Sequence, residues 1–222
     1  MECRRGQVDD NENYELLSSI LNLGINTFVC LQLEYQTEGV TEAMWRSGQA
    51  LRPYFADAVG VADQLRQNVA SPASDSRLTF IHFPIEDCNV VEDDPVQGLA
   101  EYLVDLMRRG YRLYLHCWGG HGRTGTLVCI ILHLIYGLDS SEALRRCQFV
   151  HDLRRVPVIV GSPQTLSQRN QVCRIIHRLE AQAHARVDVV RNGTLVPGNS
   201  TGQGTTSRST CSAILLNRNR CR

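Results

Sequence analysis

Apolar residues recur along this chain with two different periods, and the changes of period mark its elements. Leu16, Leu17, Ile20, Leu21 and Leu23 fall at helical spacing before Gly24, which predicts a first helix. Thr27 to Leu33 (TFVCLQL) is β-branched and apolar, as in a buried strand. Residues 34–77 yield one helix near Tyr54–Arg66 and then a loop, SPASDS. A second strand covers Leu78–Phe83 and is expected to end at Pro84. Asp94-Pro95 reads as an N-cap followed by a first-turn proline. Val96, Leu99, Ala100, Leu103, Leu106 and Met107 then give that helix an apolar face, and Gly110 closes it. A third strand is expected over Tyr111–His116 (YRLYLH), and a helix from about Arg123 to Tyr136 ends at Gly137. Asp139 with Glu142 forms a capping box for a helix to about Arg154, and Ser162-Pro163 opens a last one to about His184.

The strand–helix–strand unit over 78–116 implies a parallel sheet with helices packed on it. Beyond Arg186 the composition turns to Gly, Ser, Thr and Asn without periodicity, apart from a short AILL. The expected organisation is an N-terminal segment 1–12, one domain over 13–185 and a flexible tail over 186–222, with no internal repeat.

The formal net charge is zero, so no whole-chain electrostatic argument favours nucleic acid or an acidic membrane surface. All 23 basic residues are arginine, which reflects either codon usage or a preference for bidentate phosphate contacts. Nine cysteines are scattered without a CxxC pair or metal-ligand spacing, mostly within apolar stretches, as suits reduced thiols. The start, MECRRGQVDDNENYE, is too polar for a signal peptide, and the longest apolar run, Thr126–Tyr136, is too short for a bilayer. A soluble, intracellular, cytoplasmic protein is expected, without metal, cofactor, nucleic-acid partner or membrane span. Its oligomeric state is left open.

The candidate chemistry lies in HCWGGHGRTG, residues 116–125, between the third strand and the following helix. Ligands of open α/β sheets bind beyond the C-terminal ends of strands, and a helix N-terminus offers unpaired N–H groups to an anion. Gly119, Gly120 and Gly122 allow the backbone to curl with its N–H groups inward, and Arg123 can clamp two oxygens of a tetrahedral anion. Trp118 and His121 complete the phosphate-binding loop. Cys117 at the floor of such a cup is placed to attack phosphorus in line.

His116-Cys117-x5-Arg123-Thr124-Gly125 resembles the signature loop of the cysteine-dependent protein tyrosine phosphatase superfamily, in its dual-specificity-like branch. The resemblance covers about Asn13 to Ala185 and implies an α/β fold: a three-layer sandwich with a central, mostly parallel sheet of about four to five strands flanked by helices. It implies a phosphocysteine intermediate on Cys117, tuning of the thiol by His116, and help from the Thr124 hydroxyl in breaking the intermediate down. Phe83-Pro84-Ile85-Glu86-Asp87 resembles the family's acid loop and makes Asp87 the general acid, with Glu86 the runner-up and Asp93 and Asp94 behind. Ser162 to Gln168 is similar to a Q-T-x-x-Q loop whose glutamines, here Gln164 and Gln168, position the hydrolytic water. The opening strand that usually precedes the first helix is not evident, and neither is a long phosphotyrosine-recognition loop.

The expected substrate is a phosphorylated protein, at tyrosine or threonine, or a phosphoinositide or other small phosphate ester. The alternatives are a phosphate-binding module without turnover and, further off, arsenate reduction. His121 reads either as a solvated loop tip or as a second cation at the pocket mouth. Trp118 reads as pocket wall or sheet cover, and Cys88 as a packing residue.

Overall fold

The computed structural model describes residues 9–67, 77–155 and 158–192. Seven helices and three strands follow in the order α1 (Asp10–Asn22), β1 (Thr27–Gln32), α2 (Glu42–Arg46), α3 (Tyr54–Gln67), β2 (Thr79–Ile85), α4 (Asp93–Arg108), β3 (Leu113–His116), α5 (Gly122–Tyr136), α6 (Ser140–Asp152) and α7 (Leu166–Asn192). The fold is α/β with a parallel sheet, as expected. Among the described residues the sheet has three strands, in the order β2-β1-β3, rather than four or five.

β1 is central and buried along its whole length, which explains its unbroken apolar sequence. Its side chains alternate between two cores. Phe28 faces α1 and α3, among Leu17, Ile20, Ala58 and Val61. Val29 and Leu31 face the opposite layer, where Leu99 and Leu103 of α4, Leu127 and Ile130 of α5, and Ile175 of α7 meet. α6 covers the outside of that layer through Ala143 and Cys147, which pack with Cys129, Val172 and Ile176. No helix among the described residues is long and apolar enough to cross a membrane.

Several boundaries differ from the expectations, each for a local reason. β2 runs through Pro84 to Ile85, because β2 is an edge strand and its pairing with β1 is irregular between Cys30 and Gln32. Helix α4 begins one residue before the expected cap: Glu92 is the N-cap, without a side-chain cap bond, so Asp94 and Pro95 lie inside the first turn. Met107 is 40% exposed, and Val104 takes its place on the buried face of α4. The short α2, capped by Thr41, falls in a stretch whose pattern gave no helix. α6 stops at Asp152. Its Asp139 cap accepts from Glu142 N as expected, while the Glu142 carboxylate pairs with Arg145 and Arg146 instead of reaching back. α7 begins at Leu166, three residues beyond Pro163, and runs past His184 to Asn192. The SPASDS loop and residues 193–222 of the expected tail lie outside the described residues.

Because all three strands are parallel, their C-terminal ends share one edge of the sheet. Cys30 of β1 is level with His116 of β3 and with His82 of β2. The segments after β1, β2 and β3 therefore converge there, carrying Glu34, Asp87 and Cys117 to one place.

Candidate active site

Residues 117–121 form a cup between the end of β3 and the first turn of α5. Cys117, at its floor, is 3% exposed. His121 caps α5 without a side-chain bond, so the first-turn N–H groups of the helix border the cup. Gly120 has φ of +66°, in the left-handed region that a side chain resists, and this lets the loop reverse.

Arg154, just beyond α6, fixes the turned backbone. Its Nη1 donates to Gly119 O at 2.9 Å and its Nη2 to Gly120 O at 2.8 Å. In a trans peptide the next N–H points away from its carbonyl, so one guanidinium on both carbonyls fixes the Gly120 and His121 N–H groups on the side opposite Arg154. The Ser162 hydroxyl adds a third brace, donating to His121 O at 2.9 Å.

Arg123 is 1% exposed. Its Nη1 donates to Ile85 O at 2.8 Å and pairs with Glu34 Oε2 at 3.0 Å, and its Nη2 donates to Asp87 Oδ1 at 2.8 Å. Arg123 Nε and Thr124 Oγ1 are buried without a hydrogen-bond partner. Buried polar groups are almost always paired, so these two orphaned ones beside the cup are donors open to acceptor oxygens.

His116 stands behind the loop. Burial pushes its pKa down to about 4, so it is neutral at pH 7. Its Nδ1 lies 3.3 Å from Cys117 O, which can only accept, so the proton sits on Nδ1. Nε2 then accepts from the Tyr54 hydroxyl at 2.6 Å. In this arrangement His116 holds the backbone of Cys117 in place.

The segment expected to carry the general acid follows β2 directly. Asp87 and Cys88 occupy the centre of a turn closed by Asn89 N on Glu86 O at 3.2 Å. Glu86 is engaged by Asn89, Nδ2 to Oε2 at 3.0 Å, while Asp87 reaches the cup. Asp93 pairs with Arg174 and Asp94 with Arg178, both on α7. Cys88 is exposed with φ of +59°, so it is a strained turn residue and does not pack.

Gln168 is buried with its amide against Gly122. It accepts from Thr165 N at 3.0 Å and donates to Asn89 O at 3.2 Å. Gln164 is exposed ahead of α7, and Trp118 is half-buried at the cup. His121 is not a solvated tip: it is half-buried, with Nδ1 2.7 Å from His151 Nε2. Among the described residues no cluster of three or more His, Cys, Asp or Glu side chains could hold a metal.

Glu34, Tyr54, Arg154 and His151 had no motif to announce them. For Glu34 the available signal is its position just past the end of β1, on the edge of the sheet that carries the cup.

Known proteins resemble parts of this chain. A family model described as "Swiss Army Knife protein, DSP-PTPase phosphatase domain" matches residues 61–187. The chain is 28% identical over 79 residues to "Putative tyrosine phosphatase 067L" of Invertebrate iridescent virus 3, covering 34% of this chain and 33% of that one. It is 24% identical over 111 residues to "Cyclin-dependent kinase inhibitor 3" of Mus musculus, covering 50% of this chain and 49% of that one. The matched stretches thus span a third to a half of those relatives' lengths. The crystal structure of human DUSP28 superposes with a TM-score of 0.48 at 14% identity, covering 82% of this chain and 92% of that one. The family match takes in Asp87, the whole cup and Gln168 over more than half of the 222 residues, and the chain belongs to this DSP-PTPase phosphatase domain family.

Proposed function

We propose that this chain hydrolyses phosphate monoesters by way of a phosphocysteine intermediate on Cys117. The observation that carries the reading is Arg123: a fully buried guanidinium at the cup whose Nε has no partner and whose Nη2 meets only the half-exposed carboxylate of Asp87. A dianionic phosphoryl group satisfies that fork, the orphaned Thr124 hydroxyl and N–H groups of the loop together.

In the first step Cys117 Sγ attacks phosphorus as the bond to the ester oxygen breaks, and Asp87 gives its proton to the departing oxygen. In the second, water attacks phosphocysteine, Asp87 takes back a proton, and phosphate leaves with the thiolate restored. Thr124 Oγ1 is available to donate to the departing sulfur. Gln168 shapes the floor against Gly122, and Gln164 and Gln168 remain the candidates for orienting the water.

The substrate is a phosphorylated protein or a small phosphate ester. The free thiols at Cys88, Cys117, Cys129, Cys147 and Cys173 support a reducing, cytoplasmic setting.

The test is turnover of 4-nitrophenyl phosphate at mildly acid pH by the wild type and by Cys117→Ser. Turnover is expected from the first and none from the second. Equal rates, or no turnover by the wild type, reject the reading. If the wild type binds tungstate but releases no phosphate from any ester, the cup is a phosphate-binding module instead.

A further inference from the structure

Gln171 is 1% exposed, polar, and has no part in the chemistry described above. Both hydrogens of its amide are used: Nε2 donates to Val91 O at 2.6 Å and to Asp93 Oδ1 at 2.9 Å. One helical turn back, Gln168 donates to Asn89 O. One turn on, Arg174 grips Asp93, Nε to Oδ2 at 3.0 Å and Nη2 to Oδ1 at 2.9 Å. Arg178 continues the row onto Asp94 and Gln97. Residues 168, 171, 174 and 178 recur at three, three and four positions, so they form one stripe of α7. The stripe grips residues 89–97, the segment that leaves the acid loop.

The other foot of that loop is also fixed. Ile85 O accepts from Arg123 Nη1 and from Leu33 N. Between the feet only residues 86–89 are exposed throughout, and Cys88 holds a left-handed φ. A non-glycine residue persists there only when its flanks are over-determined.

We propose that Gln171, assisted by Arg174, is a positioning residue for the general acid: by fixing the C-terminal foot of the acid loop to α7, it sets where the Asp87 carboxylate stands over the cup. The proposal rests on the phosphatase reading and deepens it. Attack by Cys117 does not need the clasp, but delivery of a proton to the leaving oxygen does.

Gln171→Leu removes both donors while keeping the side chain's bulk. With full-length protein, kcat/KM for phenyl phosphate, whose leaving group requires a proton, is expected to fall about ten-fold. With 2,4-dinitrophenyl phosphate, whose leaving group departs as the anion, the loss is expected to stay within about two-fold. In an Asp87→Asn background the Gln171→Leu loss on phenyl phosphate is expected to vanish, because the two act through one proton transfer. Equal losses on both esters, or a loss that persists undiminished beside Asp87→Asn, overturn the proposal and leave Gln171 a structural residue. Should Gln171→Leu not fold, Arg174→Ala reads the same split from the exposed end of the clasp, with a loss of about three-fold confined to phenyl phosphate; an unselective loss, or none, overturns it equally. Failure of the wild type on both esters instead removes the phosphatase reading, and the clasp's role with it.

Discussion

The Asp87 carboxylate rests on the Arg123 guanidinium, Oδ1 to Nη2 at 2.8 Å, so the proposed general acid occupies one edge of the group proposed to bind phosphate. Under the proposed function, substrate and acid compete for the same donor, and productive binding is expected to lift Asp87 off Arg123 toward the leaving oxygen. Asp87→Ala is expected to lower kcat for phenyl phosphate by about 10²–10⁴-fold, the usual scale of a lost general acid. The same change removes a competing anion, so tungstate affinity is expected to rise. Tungstate titration of both proteins checks this, and weaker binding by the variant would count against the competition.

Arg154 holds the carbonyls of Gly119 and Gly120 with two nitrogens of one plane. Arg154→Ala frees the loop to turn N–H groups away from the anion, and KM is expected to rise about ten-fold, with a smaller change in kcat. Lysine cannot span both carbonyls, so Arg154→Lys is expected to resemble alanine more than wild type. Steady-state kinetics on the three proteins decide it.

His116 couples stability to pH. Burial lowers its pKa from 6.5 to about 4, so the folded state disfavours the imidazolium. The unfolded chain then binds more protons between those values, and stability falls as pH drops from 6.5 toward 4. The full contribution, about 3 kcal/mol, is present above pH 6.5 and lost near the folded value. Melting temperatures at pH 5 and pH 7 are expected to differ in the wild type and to converge in His116→Gln.

Gly125, in the first turns of α5, touches the cis Ser162-Pro163 segment. A Cβ there would stand 2.4 Å from Ser162 Oγ and 3.1 Å from the backbone nitrogen of Pro163. The hydroxyl can swing aside, at the expense of its bond to His121 O, but the backbone cannot. Gly125→Ala is expected to destabilise by about 1–3 kcal/mol despite alanine's better helix propensity, measured by denaturant unfolding. A stabilised variant would refute the contact.

What the sequence conveyed well was whatever a local pattern encodes. β1 was legible because a central strand buried on both faces has no polar alternation to confuse it. The helices with one buried stripe were legible from the helical period of their apolar positions, and HCWGGHGRTG and FPIED stood out as short runs of consecutive letters. The edges were less so. Pro84 ordinarily ends a strand, and it is tolerated here because β2 is an edge strand paired irregularly with β1. Three strands, not four or five, make up the described sheet, and α2 is too short to leave a periodicity.

The sequence by itself determined every element but α2, the loop between a strand and a helix, and the chemical types available there, because burial periodicity and turn chemistry act over a few neighbouring residues. Only the tertiary structure decided the partners: Glu34 and Asp87 on Arg123, Tyr54 on His116, Arg154 beneath the glycines, Gln171 on the acid loop. Each of these contacts joins residues 34 to 89 positions apart. They form because the parallel order β2-β1-β3 brings three strand ends to one edge and lays α7 across the exit of the acid loop. No spacing rule along the chain carries that information.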